Sequence, residues 1–118
     1  MKVRDGEAVL PLFPEERNTI EKGGRINGGV VPARFPDEGG VRVMVVGEAP
    51  GPRGADQSRV PFWGDGAGIP LYRTLVRAGC AEVPESAWEP WDGIRLRDNG
   101  LWPKLKGAVL TNALGYCP

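Results

Sequence analysis

The chain contains no histidine and only two cysteines in 118 residues. Without histidine, the commonest general base and the commonest metal ligand at neutral pH are both missing. Cys80 and Cys117 make neither a disulfide framework nor a Cys-x-x-Cys metal pair, and Cys80, closing an amphipathic segment, reads as a buried apolar residue. Net charge is absent too: 15 basic side chains balance 15 acidic ones. That balance weighs against a nucleic-acid binder working through bulk positive charge, while leaving room for a local basic strip. No apolar run is long enough to cross a bilayer or to form a signal-peptide core, so no membrane partner and a cytoplasmic location are expected. The Gly-x-Gly-x-x-Gly fingerprint and the Gly-Lys-Ser/Thr phosphate loop are likewise missing.

Glycine and proline are plentiful, at 18 and 12 residues, so regular elements must be few and short. A chain of this length is at most one small domain, able to bury roughly two-thirds of its unfolded surface. The organising stretch is Val41 to Asp65. Val41–Val46 is a short β-branched run, which predicts a strand buried on both faces. It enters the loop Gly47-Glu48-Ala49-Pro50-Gly51-Pro52-Arg53-Gly54. In open α/β sheets ligands bind beyond the carboxyl ends of strands, where this loop lies. Pro50 and Pro52 stiffen it, which suits either a preformed pocket wall or a plain connection.

Phe62 and Trp63 follow: Phe62 is readable as a core residue or as a stacking platform, and Trp63 as a cover at the pocket rim. Asp65 in Gly64–Gly68 has the composition of a helix cap or turn residue. Pro70 marks a first helical turn, Leu71, Tyr72, Leu75, Val76 and Ala78 keep helical spacing, and Gly79 stops it. Arg73 and Arg77 fall on the opposite, solvent-facing side. Before this region, Glu7–Phe13 is a brief apolar patch, Glu15–Lys22 predicts two helical turns, and residues up to Gly40 form an irregular arm on the sheet edge. Beyond it, Ala81–Lys106 holds Trp88, Trp91 and Trp102 in a Pro/Gly-rich excursion expected to pack on itself rather than to meet DNA. Ala108–Thr111 is a second buried strand, parallel to the first through the helical crossover, which brings Asn112 to the same carboxyl edge as Glu48.

The order GEAPG after an apolar strand, then PFWGDGAG with LYRTLVRAG, then Asp92–Asp98 and finally Thr111-Asn112, resembles the uracil-DNA glycosylase superfamily. GEAPG is similar to its fourth, iron–sulfur family, and the text from Pro61 onward to its fifth. The resemblance covers about Val30 to Pro118. It implies a partial three-layer α/β fold with a short parallel sheet and Gly/Pro-rich loops, in which residues 1–40 are an arm and 41–118 the N-terminal half of a glycosylase-like domain. Relatives continue for about as much again, with a His-Pro-Ser stretch that has no counterpart here.

The resemblance also assigns roles. Gly47, Glu48, Ala49, Pro50 and Gly51 line the base pocket, Phe62 stacks on uracil, and Asn112 reads it. An amide both donates and accepts, so it meets uracil O4 and N3–H together while cytosine presents the reverse pattern. Asp65 or Glu48 positions water. Ala49 stands where the best-known members place a water-activating Asp, and Gly51 where they place a thymine-screening tyrosine. A second acid of GEAPG relatives falls on Gly54 here, and Asp56 is a poor substitute. Iron–sulfur relatives need four cysteines, and only Cys117 lies near a ligand position, so no cluster and no metal are expected. The expected partner is uracil-containing DNA, and the expected state a monomer. The leading activity is hydrolysis of the N-glycosidic bond of a flipped deoxyuridine in DNA repair. Two alternatives are a truncated, non-catalytic remnant that binds a base or single-stranded DNA, and an α/β interaction module.

Overall fold

Strand β3, Glu38–Gly47, pairs in parallel with β5, Lys104–Asn112, and the short β4, Ala81–Glu82, adds antiparallel to the other side of β5. The order β3-β5-β4 makes a small mixed sheet in an α/β fold, seen in a computed structural model that describes residues 20–21 and 24–118. Both expected strands are present and parallel, with Gly47 level with Asn112. The long connection between them carries α1 (Ala55–Ser58), α2 (Gly68–Arg77), a 3-10 turn (Glu85–Ala87) and α3 (Gly93–Asp98).

The core lies between the sheet and these helices. Leu105, Ala108 and Leu110 of β5 meet Tyr72 and Leu75 of α2, Leu96 of α3, and Trp63 and Ala87, with Val45 of β3 packed against them. Cys80 joins this core as the composition suggested. Helix α2 follows the sequence pattern, burying Tyr72 and Leu75 while Arg73 and Arg77 stay exposed, although Val76 and Ala78 are exposed as well.

Four expectations need correction. The β-branched run does form a strand, but it is not buried on both faces: Val41, Met44 and Val46 are 61%, 58% and 57% exposed. β3 is the end strand among the described residues, paired only with β5, and the helices lie on the face of Val45 rather than that of Met44 and Val46. Branched side chains favour extended backbone whether or not a second layer covers them.

Trp63 does not form a rim. It is fully buried, with Nε1 donating to the Leu101 carbonyl at 2.9 Å. The excursion 81–106 packs on itself only in part: Trp88 stacks on Trp91, but Trp91 also sits edge-on to Trp63 and Tyr72, and the Arg73 guanidinium lies over Trp88. These aromatics bury area against the helices that the excursion alone could not supply. The expected helix over Glu15–Lys22 falls mainly outside the described residues, as does Glu7–Phe13. Where the chain is described it is extended, β1 (Ile20–Glu21) pairing with β2 (Gly24–Arg25).

The arm from Ile26 to Asp37 lies along β5. The amide of Arg34 donates to the Leu110 carbonyl at 2.8 Å and the amide of Leu110 to that of Arg34 at 3.0 Å. Its anchor is Asp56. This fully buried carboxylate accepts the amides of Asn27 (2.5 Å) and Gly28 (2.9 Å) and the Gln57 carboxamide (3.2 Å).

Candidate functional site

The carboxyl ends of β3 and β5 meet at Gly47 and Asn112. Chain exit from both strands is tied down here: the amides of Ala113 and Leu114 donate to the carbonyls of Gly47 (2.8 Å) and Glu48 (2.9 Å). Gly47 is glycine because its neighbours leave no room: a Cβ there would fall 2.5 Å from both Asn112 Oδ1 and Phe62 Cε1. Gly47, Phe62 and Asn112, all assigned by resemblance, therefore converge on one spot. Asn112 Oδ1 is buried and has no hydrogen-bond partner among the described residues. A buried amide oxygen without a donor costs about 1–3 kcal/mol, so this atom stands open to a donor that the described residues do not supply.

Phe62 reaches that spot through an unfavourable backbone conformation, φ +66°, in which side chains other than glycine are rarely found. The turn is held by its surroundings. Tyr72 Oη donates to the Pro61 carbonyl at 2.8 Å, and Ser58 Oγ donates to the Trp63 carbonyl at 2.7 Å. Burial pushes the Tyr72 hydroxyl far above the usual tyrosine range, which keeps it protonated as a donor. Strain of this kind costs about 1–3 kcal/mol and persists where neighbours over-determine it, most often at sites of function.

Asp65 lies in the same turn, three residues on. Its role as a cap for α2 is not borne out: that helix has Ala67 at its N-cap and no side-chain capping bond. The Asp65 carboxylate instead points back onto the Gly47–Gly54 loop, where Oδ1 accepts the Ala55 amide at 2.9 Å. A Cβ on Gly51 or Gly54 would collide with that oxygen, so both glycines are the seat of the carboxylate. Burial raises the Asp65 carboxyl above its ordinary range, against the backbone amides of Ala55 and Gly51, which lower it, and with a smaller upward push from Asp56. Asp65 opens onto a cleft of about 730 Å³ walled by Ala49, Gly51, Arg53 and Gly54 on one side and Gly64–Ala67 on the other.

Glu48 is not brought to this cleft. It borders a separate depression of about 320 Å³ with Ile26, Pro50 and Cys117, across the loop that Ala49 and Pro52 share with both. The two candidate acids thus stand on opposite sides of one loop. Asp56, already doubtful as a second acid, is committed to anchoring the arm.

Ser58, Tyr72 and Gly54 are positioning residues that the sequence alone does not reveal, because their partners are reached only through the fold. A weak signal for Gly54 exists in the Gly/Pro density of the loop. Among the described residues no group of three His, Cys, Asp or Glu side chains is placed to hold a metal ion. Cys80 sits in the helix-side core, and Cys117 lines the depression that Glu48 borders.

No family model matches the chain. Over 55 residues it is 42% identical to a type-5 uracil-DNA glycosylase of Thermus thermophilus. The match takes in 47% of this chain and 24% of the relative, so it spans about a quarter of that protein's length. The similarity supports kinship at the level of the uracil-DNA glycosylase superfamily.

Proposed function

We propose that the chain recognises uracil flipped out of DNA and that its cleft serves hydrolysis of the deoxyuridine N-glycosidic bond. The observation that carries this reading is the buried Asn112 Oδ1, without a hydrogen-bond partner among the described residues, beside the Phe62 ring. A uracil ring stacked on Phe62 presents N3–H and O4 to an amide, and Asn112 offers one acceptor and one donor to match. Gly47 keeps the strand end clear for that ring, and the loop to Gly51 walls the pocket.

Hydrolysis breaks the C1′–N1 bond as water adds to C1′. The sugar gains oxocarbenium character, the base leaves as an anion with the bond's electrons, and the proton lost by the water ends on that departed base. Asp65, ionised in its cleft, supports the first and accepts a hydrogen bond from the water. Glu48, across the loop, takes no part in this step. Residues 1–40 act as the arm and 41–118 as the N-terminal half of a glycosylase-like domain, working as a cytoplasmic monomer in base excision repair.

The deciding experiment is uracil release from a single-stranded oligonucleotide, with Asn112→Ala alongside. Losing two base hydrogen bonds predicts a fall in release of about tenfold or more. Release that ignores the substitution would remove Asn112 from recognition.

One further reading is a non-catalytic remnant of the same superfamily: these 118 residues hold no histidine, the side chain that the resemblance gives as stabilising the departing uracil. It then binds a uracil-containing strand without cleaving it. Binding that weakens in Asn112→Ala, with no base released, would select that reading.

A further inference from the structure

The turn that carries Phe62 and Asp65 is gripped at alternate carbonyls, Pro61 by Tyr72 and Trp63 by Ser58. A third grip comes from the excursion: Trp91 Nε1 donates to the Asp65 carbonyl at 2.6 Å, from 26 residues away in sequence. The indole is wedged in place. Its ring centroid is 5.0 Å from that of Trp63, edge-on, and 5.6 Å from that of Trp88, stacked at 18°. On a further side a Cβ at Gly68 would come 2.9 Å from Trp91 Cζ2, so α2 starts directly against the ring. Contacts with Trp63, Trp88 and the first turn of α2 thus hold the ring on three sides with its N–H on the Asp65 carbonyl.

Packing by itself does not require this geometry, since a partly buried indole can bury its rings and donate to water. Here the donor is aimed at the backbone of the residue whose carboxylate seats on Gly51 and Gly54. Asp65 is thus pinned from behind at its carbonyl and from the front at Oδ1 by the Ala55 amide.

We propose that Trp91 is a positioning residue: its indole N–H holds the backbone of Asp65 so that the carboxylate stays on its glycine seat at the cleft. This rests on the glycosylase reading only for what the carboxylate does there, not for how it is held. The groups facing that carboxylate are Asp56 in α1, the Tyr72 hydroxyl on α2 and Arg53 on the opposite wall. Burial has the largest influence on the Asp65 carboxyl and pushes it up, so releasing the pin admits water and lets it fall toward its ordinary value.

The test uses two replacements of Trp91. Trp91→Phe keeps an aromatic ring without the N–H, and β-(3-benzothienyl)alanine at the same position keeps both rings with sulfur in place of N–H. The full chain is labelled at aspartate carboxyl carbons, and Asp65, assigned through Asp65→Asn, is titrated by NMR. Both variants are expected to lower the Asp65 midpoint. Uracil release, where the wild type shows it, is expected to lose about tenfold or more in kcat with little change in KM, since small misplacements of catalytic groups are costly. An unchanged Asp65 midpoint in the benzothienyl variant overturns the proposal, and that variant decides even if Trp91→Phe does not fold. A wild type that releases no uracil sinks the catalytic reading alone, because the titration needs no turnover.

Discussion

Asp65 sets the pH behaviour of the site at the scale of a single residue. Burial raises its folded-state value above the unfolded one, so its contribution to stability is fully present below the unfolded value and is lost as pH rises through the folded value. Asp65→Asn keeps an acceptor for the Ala55 amide and removes the charge. Relative to the variant, the wild type is therefore expected to lose stability as pH climbs from the ordinary carboxylate range toward neutrality. Urea unfolding of both proteins across that range measures it, and parallel profiles would show that Asp65 is not held against its charge. The proposed hydrolysis uses the ionised form, so under that proposal the same displacement predicts an acidic limb of uracil release above that of an ordinary carboxylate. Under the proposed hydrolysis, stability and activity pull in opposite directions at this one side chain, a frequent condition of residues that do chemistry. Phe62 repeats the pattern in the backbone, where an unfavourable φ brings a ring against Gly47.

Between elements, the arm depends on Asp56. Its carboxylate is wholly buried in α1 and gathers two arm amides and a carboxamide, with the Arg59 guanidinium 3.8 Å away. Asp56→Ala strips these donors of a charged acceptor and is expected to cost about 2 kcal/mol. Its signature is local: hydrogen exchange at Asn27 and Gly28 should accelerate more than exchange at Leu110. Equal acceleration everywhere would mean that the arm is no separate unit. The edge strand β3 shows a different economy. Its end position leaves Val41, Met44 and Val46 exposed, while its parallel pairing with β5 still delivers Gly47 to Asn112. Pairing on a single edge is enough to set the register the site requires.

Across the whole molecule, one core joins sheet, helices and excursion. Leu110 is fully buried at its centre, two residues before Asn112. Leu110→Ala is expected to destabilise the chain by about 2–5 kcal/mol through lost burial and a residual cavity. A urea midpoint close to wild type would show that the helix-side core is not the principal source of stability. The same variant should weaken binding of a uracil-containing strand less than Asn112→Ala does wherever the chain remains folded.

Much of this architecture was legible in residue order. Val41–Val46 and Ala108–Thr111 announce two strands, Pro70 and Gly79 bracket a helix, and the crossover between the strands requires them to be parallel, which puts Gly47 and Asn112 at one edge. The Pro61–Gly68 text brought Phe62 and Asp65 into the same turn. Those features depend on backbone preference and chain connectivity, both local properties. What only the tertiary structure decided depends on partners distant in sequence. The exposure of β3 follows from which neighbours pair with it, and the burial of Trp63 from Trp91 and Tyr72 closing over it. The resemblance gave Glu48 and Asp65 similar claims as acids. The fold separated them, because the seat made by Gly51 and Gly54 faces Asp65, whereas Glu48 turns to the other side of the same loop.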